Sequence, residues 1–174
     1  MTTPDPVRIK LLCLDVDGVM TDGSVLLDDV GTETKRFFVR DGTAIRMWQR
    51  AGGEVAIITG RRGAAVRNRA AELGVVHVHD GVGRKGDVFE ELLEKLQLDA
   101  SEAAMVGDDL PDLPILTRCG YPVAVRDAAP EVIDVACHVT VAPGGRGAVR
   151  EVVERLLKAR GAWEASVKFY ADQT

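Results

Sequence analysis

The chain has 174 residues, 46% of them hydrophobic, and carries 22 Lys or Arg against 27 Asp or Glu, a net charge of −5. That length suits one domain, residues 1–174, with a core that needs no disulfides, and 28% charged residues with only 7 prolines exclude a disordered chain. No apolar run approaches the roughly 18–20 residues of a membrane span, and the polar start MTTPDPVRIK lacks a secretory leader pattern, so a cytoplasmic protein without a membrane partner is expected.

Short apolar runs recur along the chain, and most end at Gly or Asp. The first, Ile9–Val16, reads as a buried strand that runs into Asp15-Val16-Asp17-Gly18. Next come Ser24–Leu27 and Glu33–Val39, strand-like segments around the turn formers Asp28 to Thr32, which predict a β-hairpin over residues 24–39. Thr43–Arg50 carries Ile45 and Trp48 at helical spacing, Glu54–Thr59 reads as a strand, and Ala64–Leu73 as a helix stopped by Gly74. Strands follow at Val75–His79, Ala103–Val106, Pro122–Val125 and His138–Val141. Apolar stripes at Val88, Leu92, Leu93 and Leu96, and at Val149, Val152, Val153, Leu156 and Leu157, mark two further helices.

Strand–helix alternation, with 24 valines against eight aromatics, predicts an α/β fold: a doubly wound, Rossmann-like parallel sheet with the hairpin inserted after its first strand. The tail, residues 161–174, holds three of the eight aromatics (Trp163, Phe169 and Tyr170) and packs either on its own core or on a neighbouring subunit. Cys13, Cys119 and Cys137 lie far apart and read as buried free thiols.

Chemistry concentrates at the ends of the predicted strands. Asp15 falls at the carboxyl end of the first, where open α/β sheets hold their ligands, and Asp17 follows two residues later. Carboxylates so close repel unless a cation or a proton lies between them, and hard oxygen ligands beside phosphate suit Mg²⁺. A second acidic turn, Gly107-Asp108-Asp109-Leu110-Pro111-Asp112, ends another strand on the same sheet edge. Thr59 closes a third strand, and Lys85 opens a helix, where anions are favoured. Between Lys35 and Lys85 there are 11 Lys or Arg and only 4 Asp or Glu, a basic middle suited to an anionic small ligand. The scarcity of aromatics speaks against stacking on single-stranded bases, and no nucleic-acid partner is expected.

In order, Asp15-x-Asp17, Thr59, Lys85 and Gly107-Asp108-Asp109 resemble the four motifs of the haloacid dehalogenase superfamily of phosphotransferases. The resemblance implies Asp15 as the nucleophile that forms an aspartyl-phosphate, Asp17 as acid and then base, and Thr59 and Lys85 as holders of the phosphoryl oxygens. It implies Mg²⁺ on the Asp15 carboxylate, the Asp17 carbonyl and Asp108, with Asp109 and Asp112 in support. Longer runs, Asp15 to Gly23, Val39-Arg40-Asp41-Gly42 with Ile45-Arg46, Ile57 to Arg62 and Gly144 to Glu151, resemble the 3-deoxy-D-manno-octulosonate 8-phosphate phosphatase family, which serves lipopolysaccharide synthesis. This closer likeness implies no separate cap domain, a homotetramer built with help from the hairpin, and sugar-acid contacts from Phe38, Val39, Arg40, Asp41, Gly42, Arg46, Arg61, Arg69 and Lys85. Phe38 stands where that family usually has a polar residue, and Thr43-Ala44 replaces its aromatic-Gly pair.

The alternative within phosphatases is a nine-carbon 2-keto-3-deoxy sugar acid 9-phosphate as substrate; Arg61-Arg62 and Gly144-Gly145-Arg146-Gly147 favour the eight-carbon sugar. A phospho-acceptor or a non-catalytic regulatory domain is the reading from outside enzymes. Retention of Asp15, Asp17, Asp108 and Asp109 argues against it.

Overall fold

The computed structural model describes residues 4–172. In chain order the elements are β1 (Leu11–Leu14), β2 (Leu26–Leu27), β3 (Glu33–Thr34), α1 (Val39–Arg50), β4 (Glu54–Thr59), α2 (Ala64–Leu73), β5 (His77–Asp80), α3 (Lys85–Leu96), β6 (Ala103–Gly107), α4 (Leu113–Leu116), β7 (Tyr121–Ala124), α5 (Pro130–Val135), β8 (His138–Val139), α6 (Ala148–Ala159) and α7 (Trp163–Ala171). Six strands form one parallel sheet in the order β5-β4-β1-β6-β7-β8, and β2 pairs with β3 as a separate antiparallel hairpin. This is the doubly wound α/β sheet that the alternation predicts, and among the described residues no cap domain stands apart from it.

Central β1 is buried along its whole length because both of its edges are paired: Leu14 lies in register with Ile57 of β4 on one side and Val106 of β6 on the other. Later strands add outward on each side, so the winding reverses beside β1. Ligands of open α/β sheets bind at such a reversal. Asp15, Thr59 and Gly107 therefore end neighbouring strands on one sheet edge.

The strands β5 and β8 are shorter than their apolar runs, because the flanking Val76 and Val141 stand 78% exposed outside the ladder, whereas β1 is shorter although its flanking Ile9 and Val16 are buried. The hairpin is where expectation and structure part. Its turn is as predicted: the Asp28 carboxylate accepts from Val30 N at 3.1 Å and Thr32 N at 2.6 Å, and Gly31 takes φ +84°. The second arm, however, pairs only at Glu33–Thr34, and Val39 is the first residue of α1 rather than the last of a strand. The N–H groups of Asp41 and Gly42 both donate to the Phe38 carbonyl, and Asp41 in the first turn favours a helix start over the β-preference of valine.

The tail is helical. It forms α7, with Trp163 half-buried against the core and Arg150 4.9 Å from its ring. Phe169 and Tyr170 stack edge to face at 5.4 Å, and the Arg50 guanidinium lies 4.3 Å and 4.7 Å from their centroids. No residue of α7 is fully buried, and Val167, Phe169 and Tyr170 stay 39% to 44% exposed; Gln173 and Thr174 lie outside the described residues. Of the thiols, Cys13 and Cys119 are buried as expected but Cys137 is exposed, since it stands between α5 and the edge strand β8. Among the described residues no helix is long and apolar enough to cross a membrane.

Trp48 of α1 is the largest fully buried side chain, and its indole Nε1 donates to the Glu54 carbonyl at 2.9 Å over Gly53, where any Cβ would strike the ring. Trp48→Ala both empties that volume and orphans a carbonyl. The variant is expected to lose about 3–5 kcal/mol, read as a lower urea midpoint at unchanged slope.

Candidate active site

A cavity of about 780 Å³ opens over the carboxyl ends of β1, β4 and β6. Asp15 enters it from the end of β1, only 6% exposed, and Asp17 lines it from the turn that follows. Gly18 makes that turn possible: its φ is +96°, and a Cβ there would collide with the Asp108 carboxylate. Thr59 arrives buried from β4, its hydroxyl accepting from Arg61 N at 3.3 Å.

Lys85, the first residue of α3, is the buried cation of the site. Its Nζ lies 2.7 Å from Asp15 Oδ1 and 2.7 Å from Asp112 Oδ1. Burial works to lower its pKa, but the charges of Asp15 and Asp112 outweigh that and hold the ammonium above its ordinary range. Asp112, 1% exposed, uses its other oxygen to accept from Asp108 N at 3.1 Å, and so ties α3 to the acidic turn. Carboxylate oxygens of Asp15, Asp108 and Asp112 lie within 4.8 Å of one another. Burial, followed by the repulsion of Asp112, pushes Asp15 up to about 6 despite Lys85. Burial and then Asp15 and Asp112 push Asp108 up to about 8.

Three carboxyls with a single lysine among them are short of positive charge. Asp108 Oδ1 is buried without a hydrogen-bond partner, and such an oxygen costs free energy unless a cation or proton meets it. The donor set is all hard oxygen, which suits Mg²⁺. By their side chains Asp15 and Asp108 fit the expected ligand set. Asp109 lines the same cavity outside the three-carboxylate group; its Oδ1 accepts from Leu110 N at 2.8 Å and caps the short helix Leu110–Asp112, and its charge adds to the upward push on Asp108.

The expected sugar contacts divide into two groups. Arg61 and Lys85 line the acidic cavity, whereas Phe38, Val39, Arg40, Asp41, Gly42, Arg46 and Arg69 do not. Phe38 and Arg40 border a separate hollow beside α6, and Val39 is 75% exposed. Arg46 donates to the Glu72 carbonyl and Arg69 pairs with the Glu72 carboxylate at 2.7 Å, with the Arg69 guanidinium against Gly42. Asp41 is buried, accepts from Arg150 N at 2.8 Å, and is pushed up to about 6 by that burial. They lie apart because α1 packs on α6 and α2, away from the strand ends.

Two groups of the site carry no motif in the sequence. Arg84 and Arg118 join Arg61 among the cations lining the cavity. Behind it, Lys35 from the hairpin reaches the Asp17 carboxylate.

Comparison with known proteins places this geometry among phosphatases. Residues 78–150 match the family described as haloacid dehalogenase-like hydrolase. The 3-deoxy-D-manno-octulosonate 8-phosphate phosphatase of Salmonella typhi is 50% identical over 154 residues, 88% of this chain and 82% of its own length. That of Escherichia coli K12 is 49% identical over the same shares. A crystal structure of the phosphatase from Moraxella catarrhalis, in complex with magnesium ion, phosphate ion and a KDO molecule, superposes with a TM-score of 0.93 at 39% identity, covering 95% of each chain. The Yersinia pestis phosphatase superposes at 0.90 with 44% identity, covering 91% of this chain and 86% of its own.

Proposed function

Because the chain belongs to the 3-deoxy-D-manno-octulosonate 8-phosphate phosphatase family of haloacid dehalogenase-like hydrolases, we propose that it hydrolyses that sugar-acid phosphate to the free sugar acid and phosphate. The observation that carries this is the convergence of Asp15 from the end of β1, Asp108 and Asp112 from the turn after β6 and Lys85 from the start of α3, joined to about 50% identity with relatives of that activity.

In this reading an Asp15 carboxylate oxygen attacks phosphorus and the bond from phosphorus to the sugar oxygen breaks. Asp17 gives that oxygen its proton, leaving an aspartyl-phosphate. The Asp17 carboxylate then takes a proton from water, whose oxygen attacks the same phosphorus and frees Asp15. Lys85 and Thr59 hold phosphoryl oxygens through the transfer, the positioning and charge stabilisation that phosphoryl transfer requires. A Mg²⁺ held by the Asp15 carboxylate, the Asp17 carbonyl and Asp108 would neutralise charge on the phosphoryl group. Arg61 and its neighbours Arg84 and Arg118 suit the carboxylate of a sugar acid, because guanidinium binds carboxylates bidentately.

The remaining expected contacts serve a neighbouring subunit in a homotetramer. Support comes from the hairpin, which exposes Val25, Leu26, Leu27 and Val30 by 48% to 86%, an apolar patch of the kind that partners cover. Phe38–Gly42 follow directly on this hairpin. The free thiols suit the reducing cytoplasm. Phosphate release from the eight-carbon 8-phosphate and from a nine-carbon 2-keto-3-deoxy sugar acid 9-phosphate decides the substrate. We expect kcat/KM to favour the eight-carbon compound at least tenfold, and equal or reversed values overturn the assignment. Light scattering is expected to give four times 18.7 kDa.

A further inference from the structure

Two charged side chains on the second arm of the hairpin have no part in the scheme above. Lys35, one residue beyond β3, keeps its side chain only 2% exposed although the hairpin around it is open to solvent. Its ammonium bonds Asp17 Oδ1 and lies 2.6 Å from Glu33 Oε1. Through its second oxygen Glu33 pairs with Arg61 at 2.9 Å, and Arg61 Nε stands 4.0 Å from Asp17 Oδ2. These four groups form a ring that joins the hairpin to the turns after β1 and β4.

Burying an ammonium is costly unless its partners are well placed, and an exposed pair would tether a hairpin as well. What distinguishes this arrangement is its asymmetry at Asp17. One carboxyl oxygen, Oδ1, is taken by Lys35; the other, Oδ2, is buried and has no hydrogen-bond partner. A carboxyl otherwise turns freely about its last bond, and pinning one oxygen fixes where the other stands.

We propose that Lys35 is a positioning residue for the reaction: by occupying Oδ1 of Asp17 it makes Oδ2 the oxygen that gives the proton to the leaving alcohol and takes one from water. Glu33 supports it by holding the ammonium from the far side and Arg61 beside the cavity. The inference rests on the reading of Asp17 as acid and base.

Loss of proton delivery harms a poor leaving group far more than a good one. The test therefore compares kcat/KM, which reports the first transfer, on the sugar-acid 8-phosphate, an alkyl ester, and on 4-nitrophenyl phosphate, whose phenolate leaves without a proton. General acids contribute about 10²–10⁴-fold, and misplacing one forfeits part of that. Lys35→Met is expected to lower the alkyl value roughly 10- to 100-fold and the aryl value less than about threefold, and Lys35→Arg to recover most of the loss. Equal losses on both esters, the mark of a mere tether, overturn the proposal, as does an unchanged alkyl rate. Lys35→Gln supplies the same comparison should the methionine variant fail to fold. Asp17→Asn in parallel separates the two readings. If it shows no bias toward alkyl loss, the acid role of Asp17 falls; if it shows that bias and Lys35→Met does not, only the role of Lys35 falls.

Discussion

Asp15→Asn is expected to remove turnover while leaving the fold in place. An amide oxygen is a poor nucleophile, and the neighbouring carboxylates are otherwise engaged: Asp112 is held by Lys85 and by the Asp108 amide, and Asp109 caps the short helix Leu110–Asp112. Deleting a nucleophile that acts together with an acid and a phosphoryl-binding cation costs a factor on the order of 10⁴–10⁶ in kcat. The same change lightens the electrostatic load on the folded state. Burial and the Asp112 charge already push Asp15 up to about 6, so replacing it with a neutral isostere removes one of three crowded carboxyls and leaves Lys85 its bond to Asp112 at 2.7 Å. Thermal unfolding should thus give a midpoint equal to or above that of the parent. Residual turnover above about one part in a hundred, or a lowered midpoint, would contradict the nucleophile assignment or its electrostatics respectively.

Why so much of this site was legible follows from where its residues sit. Asp15, Thr59 and Gly107-Asp108 each terminate a buried apolar strand, and a run of Leu, Val and Ile that stops at a polar residue marks that end in one dimension. The parallel sheet then brings the ends together without further information. Side chains that join from elsewhere leave no such mark. Lys35 reaches Asp17 only because a turn centred on Asp28–Thr32 folds the hairpin back, and nothing in the local pattern Thr34-Lys35-Arg36 separates a buried lysine from a solvated one. As a supporting group Asp112 does more than its place in the motif implies, since it is 1% exposed and bonds both Lys85 and the acidic turn.

The fold shows the same division. Long buried strands and amphipathic α3 and α6 follow directly from periodicity. Val39 does not, because a β-branched residue after an extended segment looks like strand until Phe38 is seen to accept from the first turn of α1. Likewise α5 and α4 are too short, six and four residues, for a repeating apolar face to show. The sugar contacts expected on α1 and α2 are a different matter. Within one chain they stand apart from the cavity, because α1 packs on α6 and α2, and a local sequence pattern does not show which helix faces the strand ends.

Stripping divalent metal is expected to destabilise the protein in a pH-dependent way that identifies the acidic cluster as the metal site independently of activity. Asp15 and Asp108 are pushed up to about 6 and about 8, against ordinary values near 3.8 in the unfolded chain. Between those limits the folded metal-free protein binds more protons than the unfolded one, so stability is fully present below about pH 4 as far as these two groups are concerned and falls as pH rises through 6 and 8. One kcal/mol is worth about 2–4 °C in a chain of this size, and ionising two crowded carboxyls should lower the midpoint of the chelator-treated protein by about 5 °C or more between pH 5.5 and 8.5. Excess Mg²⁺ binds only the ionised cluster, and its stabilisation must therefore grow over the same interval. Hydrolysis should stop with chelation and return with Mg²⁺. A midpoint that rises with pH in the metal-free protein, or a Mg²⁺ effect independent of pH, would place the metal elsewhere. Asp108→Asn supplies the control: with the most strongly shifted carboxyl neutralised, the slope of midpoint against pH should flatten above pH 7 and the response to Mg²⁺ should largely disappear.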